Sequence, residues 1–402
     1  MTGCPVRALL INENIGGHAT VHHHLRAVAA RRDDVRIRIV DVPPPGFWRK
    51  VAGVAVPGLA RIDADLRPVR YQLAQSAWVA RRLSGWLDGE LPADPDSKID
   101  VVHLYTHNAG LLSRAQLRRV PYVVTIDSTN AQSNLLHPQR EPTRFSGLST
   151  MAVRPFERAV YANAARVVAN NRWCARSLDL DYGIGSDRIE LLPMGVPVPP
   201  PASRRDGAPV SDASGSGAAA SGVARLPRVA FIGRTMRRKG GYDLLDVHQR
   251  WLSDLCELVL VTQDPVPPAK NVTVLDDVRP GDGRIDELLA GCAVLALPSS
   301  LDQWPNSVME AMSHGVPPVV SDVGGMSEMV LDGQAGVVLA DRSPETLRDA
   351  IAGLIDDPVR RLRLGRRARQ RVVEDLDVQR TANRLLDVIR DAAVHSSGPA
   401  GL

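Results

Sequence analysis

The sequence predicts an α/β protein built from two doubly wound parallel-sheet domains. Three observations carry this expectation. Short apolar runs alternate with helix-like stretches along most of the chain, the alternation stops once in a segment rich in Pro, Gly, Ala and Ser, and it then restarts at the same spacing. With 402 residues the chain is long enough for two or three cores, and 44% hydrophobic against 23% charged residues is ordinary globular composition.

The first apolar run, RALLIN (7–12), passes through a Gly-Gly pair into the helical HATVHHHLRAVAARR, and VRIRIVDV (35–42) follows. The opening residues have no basic leader or cleavage site, so they read as a first strand and not as a signal peptide. DVVHLY (100–105), YVVTID (122–127) and RVVANN (166–171) continue the series, with helical patterns between most of them. Near 191–227 apolar periodicity is lost, which predicts a linker or insertion. The second series is RVAFIG (228–233), LVLVTQ (258–263), NVTVLD (271–276), AVLALP (293–298), PPVVSD (317–322) and GVVLA (336–340), followed by amphipathic helices. The expected organisation is therefore a first domain at 1–197, a linker at 198–227 and a second domain at 228–375. A terminal helix at 376–402 would pack back towards the first domain and end in disorder. In such sheets a ligand belongs at the carboxyl ends of the strands, here in a cleft between the domains.

Composition excludes several classes. No apolar run reaches the roughly 18–20 residues of a spanning helix. The four cysteines, Cys4, Cys174, Cys256 and Cys292, are far apart and fit neither a disulfide framework nor a zinc site, so a cytoplasmic setting is expected. Charge is uneven: residues 1–200 hold 25 Lys+Arg against 18 Asp+Glu, and the remainder 24 against 27. A basic first half suits an anionic surface or acceptor, or is simply a solvated surface. No basic-aromatic interleaving or recognised module points to nucleic acid. The Arg-rich run 360–371 reads as a solvated helix face. Consecutive His22, His23 and His24 point about 100° apart on a helix and cannot share one metal ion. The stretch 45–62, with Trp48, Arg49 and Lys50 among apolar residues, reads as a peripheral membrane contact, an acceptor-side lid or plain packing.

Two segments carry chemistry. In FIGRTMRRKGGYDLL, Arg234 and Lys239 lie just beyond a strand end beside a helix start, a placement that suits a diphosphate; a plain basic loop is the alternative. In LPSSLDQWPNSVMEAMSHG, Pro305, Asn306 and Ser307 read as a helix start after a strand. Free amides at Asn306, Ser307 and Val308 would then hold phosphate oxygens. Glu310, read in the first turn, either accepts a ribose diol or complements the helix dipole. Asp302 either meets sugar hydroxyls or forms a turn. His18, near the glycine loop, and His107, past a strand end, read as acceptor contacts. No Asp-x-Asp lies at a strand end poised to hold a divalent ion and no His/Cys/carboxylate cluster has metal spacing, so no metal site is expected.

Asp302 and Glu310, separated by seven residues and followed by AMSHGVPPVVSDVGGMSEMV, resemble the Glu-x7-Glu signature of the retaining GT-B-fold glycosyltransferases of the large family-four group. GRTMRRKG resembles that family's donor-phosphate element, INENIGGHA its glycine loop, and FERAVYANAARVVANNRWCARSL with DRIELLPMGVPV its interdomain approach. The resemblance implies two Rossmann-like domains facing across a cleft and transfer from a nucleoside-diphosphate sugar, UDP- or GDP-linked, without a cofactor. It implies that Arg234 and Lys239 neutralise the leaving diphosphate, that Asp302 holds the transferred sugar, and that Glu310 and the amides of Asn306, Ser307 and Val308 bind the donor. Gly16 and Gly17 would let the first loop approach the donor or acceptor. Two positions depart from the pattern: Asp302 stands where Glu is usual, and Asp127 stands where the family commonly shows His near the sugar. The acceptor would be a small molecule, a glycan or a lipid-linked acceptor. A GT-B-fold nucleotide-sugar epimerase and a weakly active nucleotide-sugar-binding subunit are the competing readings.

Overall fold

The computed structural model describes residues 4–13, 18–62, 64–89, 98–135, 146–200, 226–278 and 283–395. The chain divides into two compact units, Met1–Gly195 with Val378–Leu402, and Val196–Asp377. Most of the segment read as a linker (201–225), Gly16 and Gly17, and residues 396–402 lie outside the described residues.

The first unit holds a six-stranded parallel sheet of β1 (Val6–Asn12), β2 (Val35–Asp41), β3 (Val101–Tyr105), β4 (Tyr122–Ile126), β5 (Arg166–Ala169) and β6 (Ile189–Leu191). Its order is β2-β1-β3-β4-β5-β6. All residues of β3 and β4 are buried, as expected of central parallel strands covered on both faces, and this is why they read as unbroken apolar runs. The strand β6 was absent from the sequence reading. It has three residues, two of intermediate exposure and one exposed, and lies at the sheet edge, so it carries no periodic signal.

The helix Val378–His395 covers one face of this sheet. Leu385, Leu386 and Ile389 join Leu10, Leu25, Val101 and Val168 in one core. Arg32 binds Asp387 at 2.7 Å and Arg390 binds Asp34 at 2.8 Å, which pins the helix at its polar edge. Among the described residues no helix is long and apolar enough to cross a membrane.

The second unit holds β7 (Arg228–Ile232), β8 (Glu257–Val261), β9 (Val272–Leu275), β10 (Val294–Leu297), β11 (Pro318–Ser321) and β12 (Val337–Leu339), all parallel, in the order β12-β11-β10-β7-β8-β9. Two of its helices start as their sequences dictate. Ser343 accepts a hydrogen bond from Thr346 N and Asp357 from Arg360 N, each with proline as the first helical residue.

Candidate functional site

Strand order in the second sheet reverses between β7 and β10, and ligands of open parallel sheets settle outside the carboxyl ends of the strands at such a reversal. Both segments singled out in the sequence begin there. After β7 the chain runs through Arg234 into the short helix Met236–Lys239 and turns at Gly240, whose φ is +74°. A Cβ at Gly240 would lie 2.2 Å from the Pro298 carbonyl oxygen, so glycine lets the two strand-end loops touch. Ser300 N and Oγ both donate to Arg238 O, at 2.9 and 3.0 Å, and Arg238 Nη1 donates to Leu301 O at 2.7 Å.

This stitching brings Lys239 Nζ to 2.7 Å from Asp302 Oδ2, with Arg238 Nη1 at 3.5 Å from the same oxygen. Both Lys239 and Asp302 are largely buried, at 13% and 8% side-chain exposure, so their pairing is much less screened than a surface ion pair. Arg234 is exposed, and its guanidinium makes no hydrogen bond or ion pair among the described residues.

The helix Asn306–Ser313 starts as expected, with Pro305 at its cap and no side chain satisfying its first amides. Two expectations are corrected here. Val308 N already donates to Pro305 O at 3.1 Å, because the first turn closes tightly, so Val308 offers no free amide; Asn306 and Ser307 remain. Glu310 is the fifth residue of the helix and lies in its second turn, not in the first turn where it was read. Burial, with Asp286 adding and Lys239 opposing, lifts the Glu310 carboxyl to about 7. The hydroxyl of Ser307 is buried without a partner among the described residues, as are those of Ser299 and Ser321, which lie past β10 and at the end of β11. A polar group left unpaired in this way costs about 1–3 kcal/mol unless a ligand or water satisfies it.

The remaining candidates belong to the first unit. Asp127 lies just past β4, where Ser128 Oγ donates to its carboxylate at 3.3 Å and Asn171 Nδ2 to its carbonyl at 3.1 Å. His18 is the first residue of the helix His18–Ala29. His107 is buried, with Nδ1 2.9 Å from Tyr161 Oη and Nε2 3.0 Å from Asn130 Nδ2. Behind it the fully buried Glu157 accepts from Tyr161 Oη at 2.7 Å and Asn130 N at 3.0 Å. Both ring nitrogens of His107 are thus occupied within the unit.

The sequence reading missed Glu13, a buried carboxylate one residue past β1 inside the glycine-loop string; an acid directly after an apolar strand was the available signal. Among the described residues no three His, Cys, Asp or Glu side chains converge as a metal site requires. A groove of about 820 Å³ lined by Leu112, Arg114, Arg118, Phe156 and Asn163 reaches Tyr122, at the amino end of β4, and none of the candidate site residues lines it.

Two Rossmann-like parallel sheets, one with cations, a buried carboxylate and free helix amides at its reversal, define a GT-B-fold protein. The chain belongs to the group 1 glycosyltransferases: the family described as glycosyl transferases group 1 matches residues 226–357, and the glycosyl transferase 4-like domain matches residues 16–195. The solved structure of Anabaena HepE in complex with UDP-glucose superposes with a TM-score of 0.61 at 16% identity, covering 96% of this chain and 99% of that one. Alpha-maltose-1-phosphate synthase of Mycolicibacterium smegmatis is 30% identical over 185 residues, 41% of this chain and 48% of that protein. Glycogen synthase of Mycobacterium tuberculosis is 29% identical over 315 residues, 73% of this chain and 69% of the relative. The matched region thus spans about half the length of the first relative and about two-thirds of the second.

Proposed function

We propose that this chain moves a sugar from a nucleoside-diphosphate sugar, bound by the second unit, to a hydroxyl of an acceptor, with retained configuration and no required metal. The observation that carries this reading is the convergence at one sheet reversal of the free Arg234 guanidinium, the Lys239–Asp302 pair at 2.7 Å and the free amides of Asn306 and Ser307. Arg234 and the two amides take the diphosphate oxygens. Glu310 accepts from the ribose diol, and Asp302 from hydroxyls of the transferred sugar. As the bond from the anomeric carbon to the diphosphate oxygen breaks, positive charge grows on the sugar ring and negative charge on the leaving oxygen, where Arg234 and Lys239 offset it. The acceptor oxygen bonds to the same face, and its proton passes to the leaving diphosphate. The UDP-glucose bound to HepE supports a uridine donor.

Calorimetric titration with UDP-, GDP-, ADP- and TDP-sugars at about pH 6 and about pH 8 tests this reading. One nucleotide series is expected to bind, and more tightly at the higher pH, because only ionised Glu310 accepts from both ribose hydroxyls. Affinity should fall by up to about tenfold per pH unit below the Glu310 pKa of about 7, and Glu310→Gln should flatten the dependence. Stability of the free protein moves in the opposite direction. The folded-state pKa lies above the unfolded value, so the contribution of Glu310 is fully present below about pH 4.5 and is lost as pH rises through about 7. Failure of every series to bind at both pH values would sink the donor-site assignment.

We also place the protein in the cytoplasm with a peripheral membrane contact. Phe47 and Trp48 are 71% and 79% exposed, and Val54, Leu59 and Ile62 continue an exposed apolar strip beside exposed Lys50 and Arg61. Aromatic and basic side chains together suit an anionic bilayer surface. Co-sedimentation with phosphatidylserine-containing vesicles is expected, lost in Phe47→Ser/Trp48→Ser and weakened by salt. Equal pelleting of that variant would remove the assignment.

A further inference from the structure

The groove at the amino end of β4 lies at the opposite ends of the strands from His107 and Asp127. One wall runs from Gly110 through the short helix Arg114–Leu117 to Pro121. The other is the helix Ser146–Asn163 from Pro155 onwards. Its floor is closed, because Leu117, Val120, Tyr122 and Val160 are all buried and Tyr122 Oη donates to Val160 O at 2.6 Å. A volume of about 820 Å³ lies within the roughly 300–1,000 Å³ of small-molecule sites.

The longer helix has two apolar faces. Val153, Val160 and Tyr161 pack into the core of the first unit. Leu148, Met151, Ala152, Pro155, Phe156 and Ala159 recur at the spacing of a second face. That face stays outside: Leu148, Met151 and Phe156 are 43%, 70% and 38% exposed. It carries no charge and runs about 16 Å along the helix from Ala159 to Leu148.

The facing wall supplies unbalanced positive charge. Arg114 and Arg118 line the groove and are exposed, and their guanidiniums make no hydrogen bond or ion pair among the described residues. Four residues apart on one helical turn, they share a face and repel each other. Arg119 is held by Asp88, and no Asp or Glu lines the groove. A second copy of the chain would bring the same arginines and no acid to meet them. An anion with an apolar tail matches both walls. One bidentate guanidinium fills a carboxylate, whereas a phosphate monoester offers three oxygens and nearly two charges to a pair.

We propose that this groove binds a single-chain amphiphilic phosphate monoester taken from solution, with its phosphate between Arg114 and Arg118 and its alkyl chain laid along the helix from Ala159 towards Leu148. The site belongs to the first unit and uses none of the residues assigned to the donor, so it does not rest on the transfer reaction proposed above.

Calorimetric titration of the full chain with dodecyl phosphate, kept below its micelle-forming concentration, tests the site. Wild type is expected to bind it, and octyl phosphate more weakly by up to about fourfold per methylene removed. Dodecanol and inorganic phosphate, each lacking half of the ligand, should bind about tenfold more weakly or worse. Arg114→Ala/Arg118→Ala, at two exposed positions, should weaken dodecyl phosphate by about tenfold or more. Ala159→Glu, which sets a carboxylate in the apolar wall, should abolish binding and guards against an effect confined to the arginines. Phe47→Ser/Trp48→Ser, and wild type with excess UDP-glucose, should bind as wild type alone does. Failure of wild type to bind, binding of dodecanol as tight as that of the phosphate, or wild-type affinity in both groove variants overturns the site. Loss of vesicle pelleting in Arg114→Ala/Arg118→Ala would make the groove a membrane contact instead. Dissociation of a dimer by Ala159→Glu in sedimentation would make it an interface between copies of this chain; either result overturns the proposal.

Discussion

Arg234→Ala is expected to lower donor turnover by about 10²–10³-fold while leaving the melting temperature close to wild type. The two halves of this expectation have separate causes. The guanidinium is exposed and makes no hydrogen bond or ion pair among the described residues, so its removal leaves no described polar group unpaired. What is lost is a preorganised positive charge where the leaving diphosphate would develop its own. Lys239→Ala should lose at least as much turnover and also destabilise the protein. It removes the ammonium 2.7 Å from the Asp302 carboxylate, which is 8% exposed, and leaves only the Arg238 guanidinium at 3.5 Å, so the loss should fall below the roughly 3–5 kcal/mol of a buried charge left with no partner. Lys239→Ala/Asp302→Asn should recover much of the stability and none of the turnover. Release of nucleoside diphosphate from the donor, followed beside thermal unfolding, reads both quantities. Wild-type turnover in Arg234→Ala would remove the charge-neutralising role.

Gly324→Ala is expected to destabilise the second unit by about 3 kcal/mol or more and to abolish donor binding. Gly324 has φ +59°, where any L side chain is strained, and a Cβ there would lie 2.0 Å from the Asp302 carbonyl oxygen. The neighbouring Gly325 N donates to Gln303 O at 2.9 Å, so the turn after β11 is laid directly on the backbone that carries Asp302. The added methyl cannot swing away from a backbone atom and must displace the loop. Gly333→Ala separates the two causes. Its φ is +96°, but nothing lies within 4 Å of the added Cβ, so it should show only the strain, about 1–2 kcal/mol, and keep donor binding. Equal losses in urea unfolding for the two variants would mean that the approach to Asp302 does not matter.

The two-sheet architecture was legible because central parallel strands are buried on both faces, which leaves unbroken apolar runs such as YVVTI in β4 and VLAL in β10. The start of the helix at Asn306 was legible too, since Pro305 can precede a helix but not continue it. The edge strand β6 was not, being three residues long and nowhere fully buried. Nor was the engagement of the Val308 amide, which depends on how tightly one turn closes. Local periodicity and turn chemistry thus determined which segments are strands, which loops are rich in charge and glycine, and that Arg234, Lys239, Asp302 and Glu310 were worth placing at strand ends. Only the tertiary structure decided which of these groups meet. Lys239 and Asp302 are 63 residues apart, and Glu13 and Thr106 are 93 apart. The physical reason is the order of the strands. Each sheet reverses direction beside its first strand, and hydrogen bonding between distant strands, which no local pattern records, sets two remote loops side by side at each reversal.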